Sequence, residues 1–192
     1  MARPPDPGIR TRLRDQAADY VLSHGLADST LRPLARALKT NARMLVYHFG
    51  SREGLMREVL RCVREREDAR IQAWFQAGKT ARTLPQFLRW LWKRSTASRR
   101  RPAIRLLFEL YVLALRNPRQ YTGVLEDPLS HWQEVIQRTG ISSKPNAVEA
   151  TLLLAATRGL LLDFCATGDR ARIQRAIEAL VEFVEWRVTS TR

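Results

Sequence analysis

Apolar residues recur every three or four positions along almost the whole chain, which is the spacing of α-helices that bury one face. The first apolar stripe predicts a helix over residues 9–24. Gly25 is expected to end this helix, because glycine readily adopts the left-handed conformation that closes helices. The complete pattern predicts an all-α protein of about nine helices.

Two short helices are predicted next, joined by a tight connection at residues 39–41. Ser29 or Thr30 is expected to cap the first and Asn41 the second, because these side chains accept hydrogen bonds from backbone N–H groups that have no partner within the helix. The second helix spans residues 42 to about 48. Its predicted buried side consists of Leu45, Val46 and Phe49. Such a pair of helices is the helix-turn-helix motif, whose second helix enters the major groove of DNA.

Longer helices are predicted for the rest of the chain. The first covers residues 51–78, and Ser51 is expected to cap it. Three further helices are predicted over residues 84–98, 104–116 and 121–138. Pro128 is expected to break or kink the last of these, because proline lacks the N–H group that a helix interior uses.

The last two predicted helices raise a packing problem. Residues 147–166 are apolar nearly all round, and a helix without a polar face has to be buried on every side. Asp169 is expected to cap the helix that follows, which runs to about residue 188. A monomer of 192 residues has too little body to cover both helices, so we expect two copies to pair through a four-helix contact. The predicted interface consists of Leu153, Leu154, Leu161, Phe164, Ile177, Leu180, Val181 and Val184.

The positive charge of the chain is unevenly distributed. The formal net charge is +14, of which residues 1–56 contribute +4, residues 57–101 contribute +9 and residues 102–192 contribute +1. A basic first half on a nearly neutral second half suits a protein that binds a polyanion through one end. The alternative is that the basic surface only aids solubility.

Other classes of protein find little support in the residues. Cys62 and Cys165 lie far apart in the sequence, and the histidines share no ligand spacing with them, so neither a disulfide framework nor a metal site is expected. We find no nucleophile with a base, no carboxylate pair at working spacing and no glycine-rich phosphate loop, so we expect no enzymatic activity. Because neither a signal peptide nor a membrane span is recognisable, we expect a cytoplasmic protein.

Residues 45–55, Leu-Val-Tyr-His-Phe-Gly-Ser-Arg-Glu-Gly-Leu, make the interpretation more specific. This segment resembles the DNA-binding signature of the TetR-family (TetR/AcrR-like) transcriptional regulators, which ends in a leucine, two aromatic residues, His-Phe, a Ser-Lys-Glu-like step and a leucine. No insertion or deletion is needed from Leu34 to Leu55. The sequence departs from the pattern at two positions, since Lys39 replaces the usual turn glycine and Val46 replaces the first aromatic residue.

The resemblance implies a domain organisation and a function. We expect a disordered, proline-rich arm at residues 1–8, a helix-turn-helix DNA-binding domain at residues 9–56 and a regulatory, ligand-binding and dimerisation domain at residues 57–192, linked through the helix at 51–78. The resemblance implies a bacterial homodimeric repressor that binds a palindromic operator in double-stranded DNA and is released by a small-molecule effector. The alternative is a protein that binds nucleic acid without sequence preference.

We expect DNA contacts from the exposed face of the second short helix and from its flanks. Asn and Arg can read base edges, Thr and Met can contact a thymine methyl group, and Tyr can donate to a phosphate. The predicted contact residues are Thr30, Arg32, Thr40, Asn41, Ala42, Arg43, Met44, Tyr47, His48 and Arg52. In the first helix, Arg10, Arg12 and Arg14 either lie against phosphates or form a solvated face.

The resemblance also implies a ligand site inside the C-terminal body. The candidates are Phe87, Trp90, Leu91, Phe108, Tyr111, Tyr121, Trp132, Arg158 and Asp163. Simple core packing is the commoner explanation for any single aromatic residue in this set. Arg158 and Asp163 interrupt an apolar helix, and because buried charges need partners, they could pair across the dimer or contact a ligand.

Overall fold

The computed structural model describes residues 7–26, 28–78, 83–139 and 147–190, without the side chains of residues 7, 119–128 and 188. In this part of the chain, nine α-helices and one 3-10 turn account for the regular structure, which confirms the prediction of an all-α protein of about nine helices. The helices form two compact units, Met1–Gln76 and Ala77–Arg192. Most of the predicted arm at residues 1–8 lies outside the described residues.

The first unit contains four helices: α1 (Pro7–His24), α2 (Leu31–Ala37), α3 (Ala42–Phe49) and α4 (Arg52–Gln76). Each helix contributes apolar side chains that are 0% exposed, namely Val21, Leu34, Leu45, Leu55 and Val59. Helices α2 and α3 have only seven and eight residues, and isolated helices of this length are marginal in water. Their stability therefore depends on the packing against α1 and α4.

Polar contacts join α1 to the middle of α4. Arg66 donates to the carboxylate of Asp19 at 2.6 Å, and the thiol of the buried Cys62 donates to Asp15 at 3.2 Å. Although burial raises the pKa of Asp15, hydrogen bonds from Cys62 and Arg14 bring that pKa below its ordinary value. Because α4 packs on α1 well beyond residue 56, the first compact unit extends to Gln76. The predicted division at residue 56 is one of function and stays a prediction.

A backbone motif closes the connection between α2 and α3. The N–H of Thr40 donates to the carbonyl of Ala35 at 2.9 Å, and that of Lys39 donates to Arg36 at 3.2 Å. These two bonds surround a left-handed residue at the end of a helix. Lys39 is that residue, with a φ of +53°, and it is the only non-glycine residue with positive φ in the described part of the chain. The turn therefore keeps the conformation that suits glycine, although it carries lysine.

The predicted cap of α2 is wrong, whereas three other predicted caps are confirmed. Thr30 occupies the cap position of α2, but its side chain makes no hydrogen bond there. The hydroxyl of the buried Ser29 does not cap the helix either, because it donates to the carbonyl of Gly25 at 2.5 Å. The confirmed caps, each accepting from the backbone N–H three residues further on, are Asn41, Ser51 and Asp169.

The second unit contains five helices and the 3-10 turn: α5 (Leu84–Ser95), the turn (Ser98–Arg100), α6 (Arg101–Arg116), α7 (Pro118–Arg138), α8 (Ala147–Thr167) and α9 (Arg170–Ser190). Helix α7 continues through Pro128, so the predicted break there is wrong. A proline removes one backbone hydrogen bond, and the packing of α7 along both α6 and α8 outweighs that loss.

One hydrophobic cluster of the second unit lies between α5, α6, α8 and α9. Its buried residues are Trp92, Ile104, Leu161, Phe164, Ile173 and Ile177. The indole N–H of Trp92 donates to Gln174 at 2.5 Å, and its ring meets that of Phe164 nearly edge-on, with centroids 5.6 Å apart. The polar atom of this large side chain is therefore satisfied while its rings fill the core.

Helices α8 and α9 run antiparallel, and an ion pair joins them near each end. Arg172 contacts Asp163 at 2.8 Å, and Arg187 contacts Glu149 at 3.2 Å. Helix α8 has two apolar faces. The inward face is buried and consists of Ala150, Leu153, Thr157, Leu161 and Phe164. The opposite face is exposed and consists of Val148, Leu152, Ala155, Gly159, Leu162 and Ala166, which we name the outer stripe.

Replacing Lys39 by glycine should stabilise the protein, because glycine adopts a positive φ without the steric cost that a Cβ atom brings. We expect Lys39→Gly to raise the free energy of unfolding by roughly 1 kcal/mol in urea titrations. The control is Lys39→Ala, which removes the same charge but keeps the Cβ atom and should change stability by less than about 0.5 kcal/mol. An equal rise in the free energy of unfolding in both variants would attribute the effect to the lost charge. It would contradict the view that the positive φ of Lys39 strains the backbone.

Candidate nucleic-acid interface

Helix α3 lies at the surface of the first unit in a fixed orientation. Asn41 begins the helix, since its Oδ1 accepts from the N–H of Met44 at 2.9 Å. Gly50, with a φ of +81°, ends it. Leu45 and Phe49 anchor the inner side and are 0% and 8% exposed. The opposite side of α3 is open to solvent.

Most of the predicted contact residues are exposed or half-buried. Met44 and Tyr47 are 37% and 44% exposed. The other exposed residues of the predicted set are Thr30, Arg32, Asn41 and Arg43, and the half-buried ones are Thr40, Ala42 and Arg52. The structure therefore brings together a face of α3 that carries both donors and apolar groups. That these residues contact DNA stays a prediction.

Two residues of α3, Val46 and His48, have exchanged their expected positions. His48, expected on the contact face, is 7% exposed, whereas Val46, expected inside, is 40% exposed. Residues three and four apart share one side of a helix, so His48 and Phe49 turn inward with Leu45, while Val46 is rotated by about 100° from Leu45. Within the described residues neither ring nitrogen of His48 has a hydrogen-bond partner. His48 is thus a packing residue, and Val46 takes its place on the surface.

Four exposed cations lie on α2, on α3 and in the turn between them: Arg32, Arg36, Lys39 and Arg43. None of them forms an ion pair within the part of the chain that the structure describes. Unpaired cations are available to phosphates, which supply much of the affinity in protein–DNA complexes. The predicted site contained Arg32 and Arg43 but not Arg36 or Lys39. Helical spacing from Arg32 could have identified both, since it already places them outward.

Arg52 is the first residue of α4, where the resemblance implies a phosphate contact. Its Nε atom is buried, and no described residue accepts a hydrogen bond from it. Ser51 satisfies the backbone N–H of Gly54 at 3.0 Å, while the start of the helix remains favourable for an anion. A phosphate at this point would meet both the guanidinium group and the positive end of α4.

The predicted ligand-binding residues belong to the second unit and differ in their surroundings. Phe87 and Trp132 are 1% and 6% exposed, and their rings meet edge-on at 5.6 Å, as expected of core residues. Half-buried positions are held by Trp90, Leu91, Phe108 and Tyr111. The side chain of Tyr121 lies outside the described residues. Their role in ligand binding stays a prediction.

The two charged residues of the predicted ligand site, Arg158 and Asp163, find partners within the same chain. Asp163 accepts two hydrogen bonds from Arg172, each at 2.8 Å, and its side chain is 38% exposed. The expectation that Asp163 is a buried charge is therefore wrong, because this side of α8 faces α9 and solvent. The guanidinium carbon of the half-buried Arg158 lies 4.8 Å from the ring centroid of Tyr111, a cation–π contact.

The predicted dimer interface needs correction. Six of its eight residues are at most 8% exposed and belong to the core of the protomer: Leu153, Leu161, Phe164, Ile177, Val181 and Val184. The other two, Leu154 and Leu180, are half-buried. A sequence that is apolar all round does not indicate which side of α8 is covered by its own chain.

A different apolar set is exposed on the same two helices. Within the outer stripe of α8, Val148, Leu152 and Leu162 are 69%, 64% and 51% exposed. On α9, Phe183 and Trp186 are 57% and 62% exposed. The residues of the outer stripe are alternately four and three positions apart, which is the spacing of a seam between packed helices.

Helix α8 is also long and apolar enough to cross a membrane, although the core helix of a soluble protein meets the same criterion. Its inward face packs in the core of the second unit. Two of its acidic residues, Glu149 and Asp163, pair with arginines of α9. Length and composition alone are weak evidence for a membrane helix.

Comparison with known proteins identifies the fold. No family model matches the chain, and no curated protein matches it. The multidrug binding protein EbrR with imidazole is 25% identical and superposes with a TM-score of 0.71, covering 95% of this chain and 93% of that chain. EbrR with proflavin is 24% identical at a TM-score of 0.68, covering 90% and 98%. SCO1917, a TetR-family member from Streptomyces coelicolor A3, is 24% identical at a TM-score of 0.70, covering 93% and 98%.

The class of protein follows from the two units and from these comparisons. The chain is an all-α protein with an N-terminal helix-turn-helix and a larger helical unit behind it in the sequence. Its fold is that of the TetR-family transcriptional regulators, and the resemblance inferred from residues 45–55 is confirmed. Two further solved structures of the same fold, each 19% identical to this chain, are described as putative transcriptional regulators, one of them in complex with choline.

The junction of α3 with α4 leaves no room for a side chain at Gly54. A Cβ atom there would lie 2.2 Å from the carbonyl oxygen of Phe49, the last residue of α3. We expect Gly54→Ala to lower the free energy of unfolding by about 1–3 kcal/mol in urea titrations, because the helices must move apart. The control is Arg57→Ala, at an exposed position three residues further along α4, which should change the free energy of unfolding by less than about 0.5 kcal/mol. Similar small effects at both positions would contradict the close approach.

Proposed function

We propose that the protein is a sequence-specific DNA-binding transcriptional regulator whose helix α3 enters the major groove. The observation that carries the proposal is the open face of α3, on which Arg43, Met44 and Tyr47 are exposed together. An α-helix fits the major groove, where each base pair presents a distinct pattern of donors and acceptors. The fold supports the same conclusion.

Arg43 is the proposed base reader. It is exposed on the open face and has no ion pair among the described residues, so its guanidinium group can donate two hydrogen bonds to one guanine. Asn41 has a narrower role than the sequence implied. Because its Oδ1 already holds the N–H of Met44, its amide N–H groups remain for a phosphate or a base acceptor. Met44 offers an apolar contact for a thymine methyl group.

The alternative is binding without sequence preference. It draws support from the cations beside α3, since contacts to phosphates carry no sequence information. Both readings predict binding that weakens with salt. Only the regulator predicts a large difference between sequences, because that difference arises from base contacts.

The decisive experiment selects preferred duplexes from a random pool with the purified protein and measures their affinity against an unselected duplex at two salt concentrations. We expect a preference of roughly a thousandfold or more. Arg43→Ala should relax the preference at one or two base positions by about tenfold, whereas Arg36→Ala should weaken all duplexes alike and reduce the salt dependence. If no sequence is enriched, the protein is a non-specific binder, and uniform weakening by Arg43→Ala would make Arg43 a phosphate contact.

We further propose that the protein acts as a homodimer through the outer stripe of α8 and the exposed aromatic pair of α9. Val148, Leu152, Leu162, Phe183 and Trp186 are each more than half exposed, and large exposed apolar patches mark interaction sites. Two antiparallel helices from each of two copies make a four-helix contact. A two-fold dimer presents two copies of α3 to a palindromic operator.

Gly159 supports the choice of a second copy as the occupant of this face. A glycine within an exposed helix costs about 1 kcal/mol relative to alanine, and nothing lies within 4 Å of the position where its Cβ would be. With Ala155 and Ala166 it keeps the middle of the stripe shallow. Small residues of this kind let a second helix approach closely, while the large residues at the ends fill the space beside it.

A charge in the outer stripe should separate the two copies. We expect Leu152→Glu to weaken self-association by about a hundredfold or more, because it buries an uncompensated carboxylate. Sedimentation velocity measures the mass, and circular dichroism tests that the helices remain. Ala171→Glu, at an exposed position outside the stripe, is the control and should stay dimeric. An unchanged dimer in Leu152→Glu would refute this interface.

Finally, we propose that a small-molecule effector binds the second unit and releases the DNA. EbrR has been solved with imidazole and with proflavin, which supports a ligand site in this fold. The proposed contacts are Trp90, Leu91, Phe108, Tyr111 and Arg158, which are half-buried. Release requires that the effector prefers one spacing of the two α3 helices. Helix α4 begins directly after α3 and ends at Gln76, so we propose that it transmits the effect of the ligand to α3.

A DNA partner also implies a location, and we propose that the protein acts in the cytoplasm of a bacterium.

A further inference from the structure

Arg10 of α1 contacts both α3, whose open side is the proposed DNA-binding face, and α4. Its Nε donates to the backbone carbonyl of His48 in the last turn of α3 at 3.2 Å. Its Nη2 lies 3.1 Å from a carboxylate oxygen of Glu58 in α4. Its guanidinium carbon lies 5.5 Å from the ring centroid of Phe49. A single side chain therefore joins α1, the end of α3 and the first third of α4.

The contact with His48 stabilises α3 at its weakest point. The last four carbonyl groups of a helix have no partner within it, and they form the negative end of the helix dipole. Arg10 satisfies one of these carbonyls and brings a positive charge to that end. Because α3 has only eight residues, groups outside the helix must set its direction.

The contact with Glu58 fixes the direction from which Arg10 acts. Glu58 is half-buried and also contacts Arg61. Burial alone would raise the pKa of Glu58, but the hydrogen bond from Arg61 and the charge of Arg10 bring that pKa below its ordinary value. The carboxylate is therefore charged at neutral pH and holds the guanidinium group against α4.

We propose that Arg10 is a positioning residue, which holds α3 at the angle required for reading bases and does not itself contact DNA. Its guanidinium group already contacts a carbonyl, a carboxylate and an aromatic ring. The sequence offered only two roles for Arg10, a phosphate contact or a solvated side chain, and this structural role is neither of them. A small rotation of α3 moves Arg43 and Tyr47 together. Loss of Arg10 therefore reduces discrimination between sequences, and this inference rests on the proposed function.

The test compares Arg10→Met with Arg12→Met on the preferred duplex and on duplexes with one changed base pair. Arg12 is an exposed arginine of α1 without an ion pair among the described residues, so it controls for net charge. We expect Arg10→Met to reduce discrimination about tenfold, as for the loss of a charged hydrogen bond, and Arg12→Met to leave it unchanged. Equal weakening on every duplex by Arg10→Met would show a phosphate contact and overturn the proposal.

A double-mutant cycle with Glu58→Gln tests whether Arg10 acts through α4. If Arg10 positions α3 from Glu58, the double variant loses little more discrimination than Arg10→Met alone. Additive losses would show that Glu58 does not hold Arg10 in its working position. Arg10→Lys keeps the charge but not the planar fork, so partial recovery is expected, and full recovery would reduce the role of Arg10 to charge alone.

Hydrogen exchange of the free protein separates this inference from the proposed function. In Arg10→Met the amides of residues 42–50 should exchange about tenfold faster than in the wild type, while those in the middle of α4 should not change. If the wild type shows no preferred DNA sequence but this difference is present, the proposed function fails and the positioning of α3 by Arg10 stands. Unchanged exchange in residues 42–50 would overturn the positioning role whatever the DNA result.

Discussion

A helix of eight residues cannot fix its own direction, and the whole candidate interface of this protein depends on such a helix. The constraint is met from three sides. Asn41 and Gly50 define where α3 begins and ends, and Leu45 anchors its inner face. Gly54 lets α4 approach the last carbonyl of α3 more closely than any other residue type would allow. The exposed face is therefore only as well placed as these contacts.

Local chemistry made some features predictable from sequence. Asn41 and Asp169 could be recognised as caps because a cap needs only one side chain and the first turn that follows it. Val46 and His48 were misplaced because their polarity was followed and not helical spacing, which places His48 inward and Val46 outward once Leu45 is buried. Features that depend on packing between helices could not be recognised from local chemistry. At Pro128, contacts on two sides of α7 outweigh a strong local signal.

Helix α8 shows how an inference from sequence can lead to the wrong residues. An apolar helix needs cover on every side, and the predicted dimer follows from this requirement. The sequence contains two seams, however, one through Leu161 and one through Leu152. Only the fold reveals that Leu161 belongs to the protomer core and that Leu152 remains exposed. The distinction between the inward and the exposed face of α8 therefore required the structure.

The left-handed Lys39 has a consequence for protein engineering. Consensus design replaces unusual residues by those most common at a position, and a glycine in this turn would be scored as an improvement in thermal stability. The same replacement deletes one of the four exposed cations, Arg32, Arg36, Lys39 and Arg43, that the proposed function assigns to phosphate contacts. A screen that selects only for resistance to heat would therefore remove a charge of the proposed interface, so a stabilised form of the protein is best obtained by changes outside the turn.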